Sequence, residues 1–196
     1  MHTRSRGGNH ESVNTMDALY ETALASVVTT RPDAYRLFAR GSAVRLRRGA
    51  YVSTELWVRL DAASRFRLAA AALAWAYPDT VFCGETALFL RGLPVVKTPP
   101  TIDVATATTT RLGIRPATFE VCGEVPLAVQ ARNLAPPPIR RHRHVPLEAE
   151  QGGPFRVLPL AVTVAEVLGS AKFARALTIA DGAVRLNPSI PPPRQG

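Results

Sequence analysis

Apolar positions along this chain switch between helical spacing and strand-like alternation, and the order of the switches predicts the fold. Leu19, Ala23, Leu24, Val27 and Val28 share one helical face. The turn Arg31-Pro32-Asp33 then opens a second helix carrying Tyr35, Leu37 and Phe38, which Gly41 ends. From Gly41 to Val52 the period changes. Arg45, Arg47 and Arg48 are interleaved with strand-forming residues, and glycines stand at 41 and 49, so a basic β-hairpin is expected. Helix, helix and β-ribbon, assigned to residues 15–58, follow the order of a small winged-helix-like module, although a third helix is not visible.

An alanine- and leucine-rich helix is predicted from Arg59 to Tyr77, stopped by Pro78-Asp79. Its second half is almost wholly apolar, so residues 59–79 read as a buried connecting helix or an ordinary core helix. Residues 80–187 read as a mixed α/β domain. A helix from Glu85 to Arg91 closes at Gly92 before Leu93-Pro94, and strands are expected at 102–105, 119–122, 139–145 and 155–158. Helices follow at 163–168 and 173–186. Pro136-Pro137-Pro138 marks a loop, residues 188–196 a proline-rich tail, and residues 1–14 a disordered arm. The expected class is α+β: an N-terminal winged-helix-like module followed by a mixed α/β domain.

Charge turns this outline towards function. The formal net charge of +9 over 196 residues points to a polyanionic partner. Arginine abundance alone says little, because Lys97 and Lys172 are the sole lysines. The apolar run at 68–77 is shorter than the roughly 18–20 residues a bilayer crossing needs, so no membrane partner is expected. No apolar segment of a secretory signal follows Met1, and Cys83 and Cys122 are unpatterned, which suits a cytoplasmic protein with packed thiols.

Guanidinium groups match phosphate geometry and release counterions on binding. The candidate double-stranded DNA contacts are therefore Arg36 and Arg40 on the second helix with Arg45, Arg47, Arg48 and Tyr51 on the hairpin. Arg140, Arg141 and Arg143 form a second basic patch. His142 and His144, two apart, share a strand face that would permit metal ligation, but no cysteine or further histidine pair lies nearby. A polar, solvated strand face is the favoured reading, with no metal and no cofactor. Gly84 before Glu85 reads as a tight turn into a packed helix in preference to an anion site.

Catalytic patterns are missing. A restriction-type nuclease needs an acidic residue two positions before a lysine, and neither Lys97 nor Lys172 has one. A nucleotidyltransferase needs paired carboxylates after Gly-Ser, whereas Ala171 and Lys172 follow Gly169-Ser170. No enzyme is expected, and Asp103 is the best-placed strand carboxylate.

The run Arg47-Arg48-Gly49-Ala50-Tyr51-Val52, then Gly84-Glu85-Thr86-Ala87-Leu88-Phe89-Leu90-Arg91-Gly92-Leu93-Pro94, then Ile102-Asp103-Val104, resembles actinobacterial AbiEi-like antitoxins. Ile139-Arg140-Arg141-His142-Arg143-His144, Thr163-Val164-Ala165-Glu166-Val167-Leu168 and Ala180-Asp181-Gly182-Ala183-Val184-Arg185 follow in the expected order. The resemblance covers most of residues 36–185. It implies a DNA-binding antitoxin and transcriptional regulator that represses its own operon and counteracts a nucleotidyltransferase-like toxin without needing to bind it. Two features depart from the family: Val162 replaces an arginine before Thr163 and Glu166 an aspartate, and no endonuclease-like domain follows. The alternative is a non-enzymatic protein-interaction module, a remnant of a larger nuclease-containing relative. On the DNA reading, a fragment ending near Tyr77 is expected to keep the hairpin and some DNA binding.

Overall fold

A computed structural model describes residues 33–93, 95, 97–109, 112–126, 134–144, 149–170 and 181. The predicted arm, the helical face at 19–28, the tail, and the helix at 173–186 apart from Asp181 lie outside these residues. Among the described residues the chain is α+β, with a two-stranded and a six-stranded sheet.

Helix α1 spans Ala34–Ala39 and buries Ala34 and Phe38. Strands β1 (Ala43–Arg47) and β2 (Ala50–Ser53) then pair antiparallel around Arg48-Gly49, with a bulge between Arg45 and Arg47. Period-2 alternation buries Val44, Leu46, Ala50 and Val52 on one face and turns Arg45, Arg47 and Tyr51 to the other. Phe38 meets Tyr51 with ring centroids 5.8 Å apart, which docks α1 on the hairpin.

The single helix expected from Arg59 to Tyr77 is instead two. Helix α2 runs Thr54–Arg59 and helix α3 runs Ala62–Ala76. Leu60 and Asp61 between them are extended, and the Asp61 carboxylate accepts the Ser64 N–H at 2.7 Å. Asp61 is an N-cap, and its competition with continued helix decides the break. Ser53 caps α2 in the same way through the Leu56 N–H.

The larger sheet contains β3 (Val81–Phe82), β4 (Ile102–Thr106), β5 (Gly113–Arg115), β6 (Ile139–Arg143), β7 (Glu150–Gly152) and β8 (Phe155–Val157). Their order is β5-β6-β4-β3-β8-β7, with β4 parallel to β6 and β3 parallel to β8. Helix α4 (Gly84–Leu90) follows β3, and α5 (Leu160–Ser170) follows β8. Leu88 of α4 packs with Leu93 and with Val167 of α5. The strand expected at 119–122 reduces to a single bridge, Glu120 to Arg45. The chain turns away at Gly123, whose backbone lies against that of Arg40 and Gly41.

Helix α3 serves both sheets. Its Phe66, Ala69, Ala70 and Leu73 pack with Phe82, Ile102, Val104, Ile139 and Phe155 of the large sheet. Leu68 and Ala72 pack with Val44, Leu46, Val52 and Trp57 of the hairpin side. Phe119 and Val125 complete this second cluster, and the Trp57 indole N–H donates to the Leu134 carbonyl at 2.9 Å. The hairpin's core is therefore closed by residues far downstream of it in the chain. A fragment ending near Tyr77 lacks them.

At the crossing of the two segments, Gly41 has φ +81°, and a Cβ built there would stand 2.2 Å from the Glu124 carbonyl oxygen. Gly92 has a similar φ of +79° but open space around it. Gly92→Ala is expected to cost about 1 kcal/mol, the left-handed backbone penalty alone. Gly41→Ala adds a backbone collision and should cost about 3 kcal/mol or more. Urea denaturation of the two variants measures the difference, and equal destabilisation would contradict the tight crossing.

Candidate functional site

Two groups of polar side chains stand out, the hairpin arginines and a buried cluster around Asp103. On α1 and the hairpin the six candidate DNA contacts have different fates. Arg45 donates to the Glu120 carboxylate at 2.8 Å, and its backbone exchanges two hydrogen bonds with Glu120. The Arg47 Nη1 donates to the Thr118 hydroxyl at 3.2 Å. Burial, followed by the opposing influence of Tyr77 and then the positive charge of Arg141, leaves the Arg47 guanidinium below its ordinary pKa. The segment around Thr118 and Glu120 thus covers the outer edge of β1. Arg48, at the turn, is exposed, and so are Arg36 and Arg40 on α1. Arg36 has only a 3.4 Å contact with Asp33, a pair too exposed to hold it firmly. Tyr51 is half-buried against Phe38.

The second basic patch is divided by the strand period. Arg140 points to the Asp103 side of β6, with its Nε 3.8 Å from the carboxylate. Arg141 and Arg143 lie on the opposite face, with no carboxylate partner among the described residues.

Asp103 sits at the second position of β4 and is 6% exposed. Its Oδ1 accepts from the Thr101 hydroxyl at 3.0 Å and from His142 Nε2 at 3.0 Å. A carboxylate only accepts, so His142 carries its proton on Nε2 in this contact. The Asp103 N–H donates to the Thr86 hydroxyl at 2.8 Å, and that hydroxyl donates to the Thr101 carbonyl at 3.2 Å. Next along the strand face, His144 Nδ1 lies 3.1 Å from Glu166 Oε1 of α5.

This corrects the expectation of a solvated histidine face at His144, while the His142 side chain stays 38% exposed. The two histidines do share one face, their rings 6.4 Å apart, but each is held by a carboxylate, and the His144 side chain is only 13% exposed. The sequence signal was a charged residue between two apolar strand positions, Ile102-Asp103-Val104. A buried charge requires partners, and residues 140–144 supply them from the neighbouring strand.

The cluster fastens β6 to β4 and to α5. Among the described residues, no group of three or more histidine, cysteine or acidic side chains is arranged to hold a metal ion. The nearby thiol, Cys83, is 1% exposed. Burial first, then the charges of Asp103 and Glu166, push its pKa far above the ordinary thiol range, so it makes no thiolate nucleophile near neutral pH. No helix among the described residues is long and apolar enough to cross a membrane. Compared with known proteins, the chain matches no family model, and no curated protein matches it significantly.

Asp103→Ala removes the acceptor shared by Thr101 and His142, but His142 and Arg140 are 38% and 41% exposed and regain water, so the expected destabilisation is about 2 kcal/mol. Denaturant titration at neutral pH measures it, and an unchanged midpoint would contradict a fastening role. Thiol labelling of the native protein near pH 8 should modify exposed Cys122 rapidly and Cys83 only on unfolding. Equal labelling rates would contradict the burial described.

Proposed function

We propose that the protein is a DNA-binding regulator, and that it belongs functionally with the antitoxins its motifs resemble. The observation that carries this reading is the set of exposed arginines on α1 and at the hairpin turn. Arg40 and Arg48 have no acidic partner among the described residues, and α1 is docked to the hairpin by the Phe38–Tyr51 contact. A short helix beside a basic ribbon suits a duplex, with helix residues at a groove and ribbon arginines on the backbone. Tyr35 and Leu37 on α1 are 67% and 40% exposed and accompany Arg36 at the proposed groove face. Arg45 and Arg47 contribute chiefly by holding the ribbon in place.

On this reading the sheet domain supplies antitoxin activity against a nucleotidyltransferase-like toxin, and no catalysis is required of it. The interaction-module alternative is favoured by β5, an edge strand exposed throughout, with Leu112 and Ile114 also exposed.

The test is binding of labelled duplex DNA by the full chain as salt is raised. The logarithm of the affinity should fall linearly with log salt. Arg40→Ala with Arg48→Ala should flatten that slope by about 2, since each arginine that neutralises a phosphate releases about one counterion. Absence of binding at low salt would remove the DNA reading. Co-expression with a nucleotidyltransferase-like toxin, where the adjacent gene encodes one, tests the second half. Growth rescue by both the full chain and the double-alanine variant is expected, and failure of the full chain would favour the interaction module.

A further inference from the structure

The arginines among the described residues differ in what they face. Arg36, Arg45, Arg59, Arg91, Arg140 and Arg156 each face a carboxylate within 4 Å, namely Asp33, Glu120, Glu55, Glu150, Asp103 and Asp79. Arg40, Arg47, Arg48, Arg65, Arg115, Arg141 and Arg143 face none among the described residues, and Arg65 instead donates to the Leu60 carbonyl. Arg65 apart, these lie on α1, on the hairpin and on strands β5 and β6.

Topology brings several of these together. Strand β5 runs antiparallel to β6 with Arg115 opposite Ile139 and Gly113 opposite Arg141. Ile139 belongs to the core packed by α3, so Arg115, Arg141 and Arg143 share the α3 side of the sheet, while Arg140 and His142 face Asp103 on the other. Gly113 offers no side chain beside Arg141. Shortly after Arg115 stands Thr118, whose hydroxyl holds Arg47, and then Glu120, bridged to Arg45. The hairpin is thus tied to the chain immediately after β5. The charge of Arg141 also reaches Arg47.

We propose that Arg115, Arg141 and Arg143 continue the hairpin's basic surface onto the large sheet, and that one duplex DNA backbone is bound across both sheets. This rests on the DNA-binding reading above and adds a second contact region to it. Arg141 and Arg143, two apart on one strand face, stand about 7 Å from each other. Several guanidiniums whose neighbouring acid, Glu120, is already paired with Arg45 suit an evenly charged phosphate backbone better than an acidic protein, whose carboxylates are discrete and mixed with other groups. Arg48, Arg115 and Arg143 are exposed, and Arg141 half-buried, so the surface is open to a ligand of that size.

The experiment compares salt dependence for the full chain, for Arg141→Ala with Arg143→Ala, and for Arg59→Ala with Arg156→Ala, which removes equal charge elsewhere. Between about 50 and 200 mM salt, wild-type affinity for duplex DNA should fall about 12-fold further than that of the Arg141/Arg143 variant, two counterions' worth. The Arg59/Arg156 variant should follow wild type. If the Arg141/Arg143 variant keeps the wild-type slope while Arg48→Ala flattens it, the contact region ends at the hairpin and this inference fails, with the DNA reading intact. If wild type binds no duplex at low salt, both fail. Tighter binding of a single-stranded RNA than of duplex DNA would also overturn the assignment.

Discussion

Helix α3 is apolar around most of its circumference, and that constraint organises the molecule. A helix with one apolar stripe needs one partner surface; one with apolar residues all round must be enclosed. Phe66, Ala70 and Leu73 are covered by the large sheet, and Leu68 and Ala72 by the hairpin and Trp57. The small alanines permit close approach on both sides, so the two sheets share one helix instead of each owning a core. The large sheet and the basic ribbon are consequently fixed relative to each other by α3 and by the segment from Thr118 to Val125.

That shared helix explains what was legible in the sequence. Local signals were reliable: the alternation of Val44 to Val52 marked the hairpin, Gly92 closed α4, and Ile102 and Val104 marked a central strand. Competition between local signals was less so. Asp61 caps α3 although alanine-rich sequence after it favours continuous helix. Long-range pairings were not legible. Nothing near Arg45 announces Glu120, seventy-five residues away, and nothing near Trp57 announces the Leu134 carbonyl. Residues 119–122 have strand composition, but a strand forms only where a neighbour offers its edge, and β1 offers one residue before Gly123 turns the chain.

The candidate site shows the same division. The sequence draws attention to Arg140, Arg141 and Arg143 but not to Arg115, which β5 brings beside them, and it does not assign partners, because a charge pattern does not reveal which residues acids elsewhere will neutralise. Arg45 and Arg48 look equivalent in the hairpin, yet one is held by a carboxylate and the other is exposed. His142 and His144 look exposed by composition. Their environment is set by Asp103 and Glu166, which lie on a different strand and a different helix.

Strand β6 joins these threads, since its two faces carry different chemistry at single-residue spacing. On one face Arg140, His142 and the following His144 meet Asp103 and Glu166, and those contacts fix the strand's position beside β4 and α5. On the other face, Ile139 enters the α3 core while Arg141 and Arg143 extend past it without carboxylate partners among the described residues. The cost of burying Asp103 is offset by hydrogen bonds, and the same bonds restrict the motion of the strand that carries the unpaired arginines. On the proposed reading, the buried cluster is the foundation of the phosphate-binding surface: immobilising β6 from behind lowers the ordering entropy its arginines lose on meeting a rigid duplex.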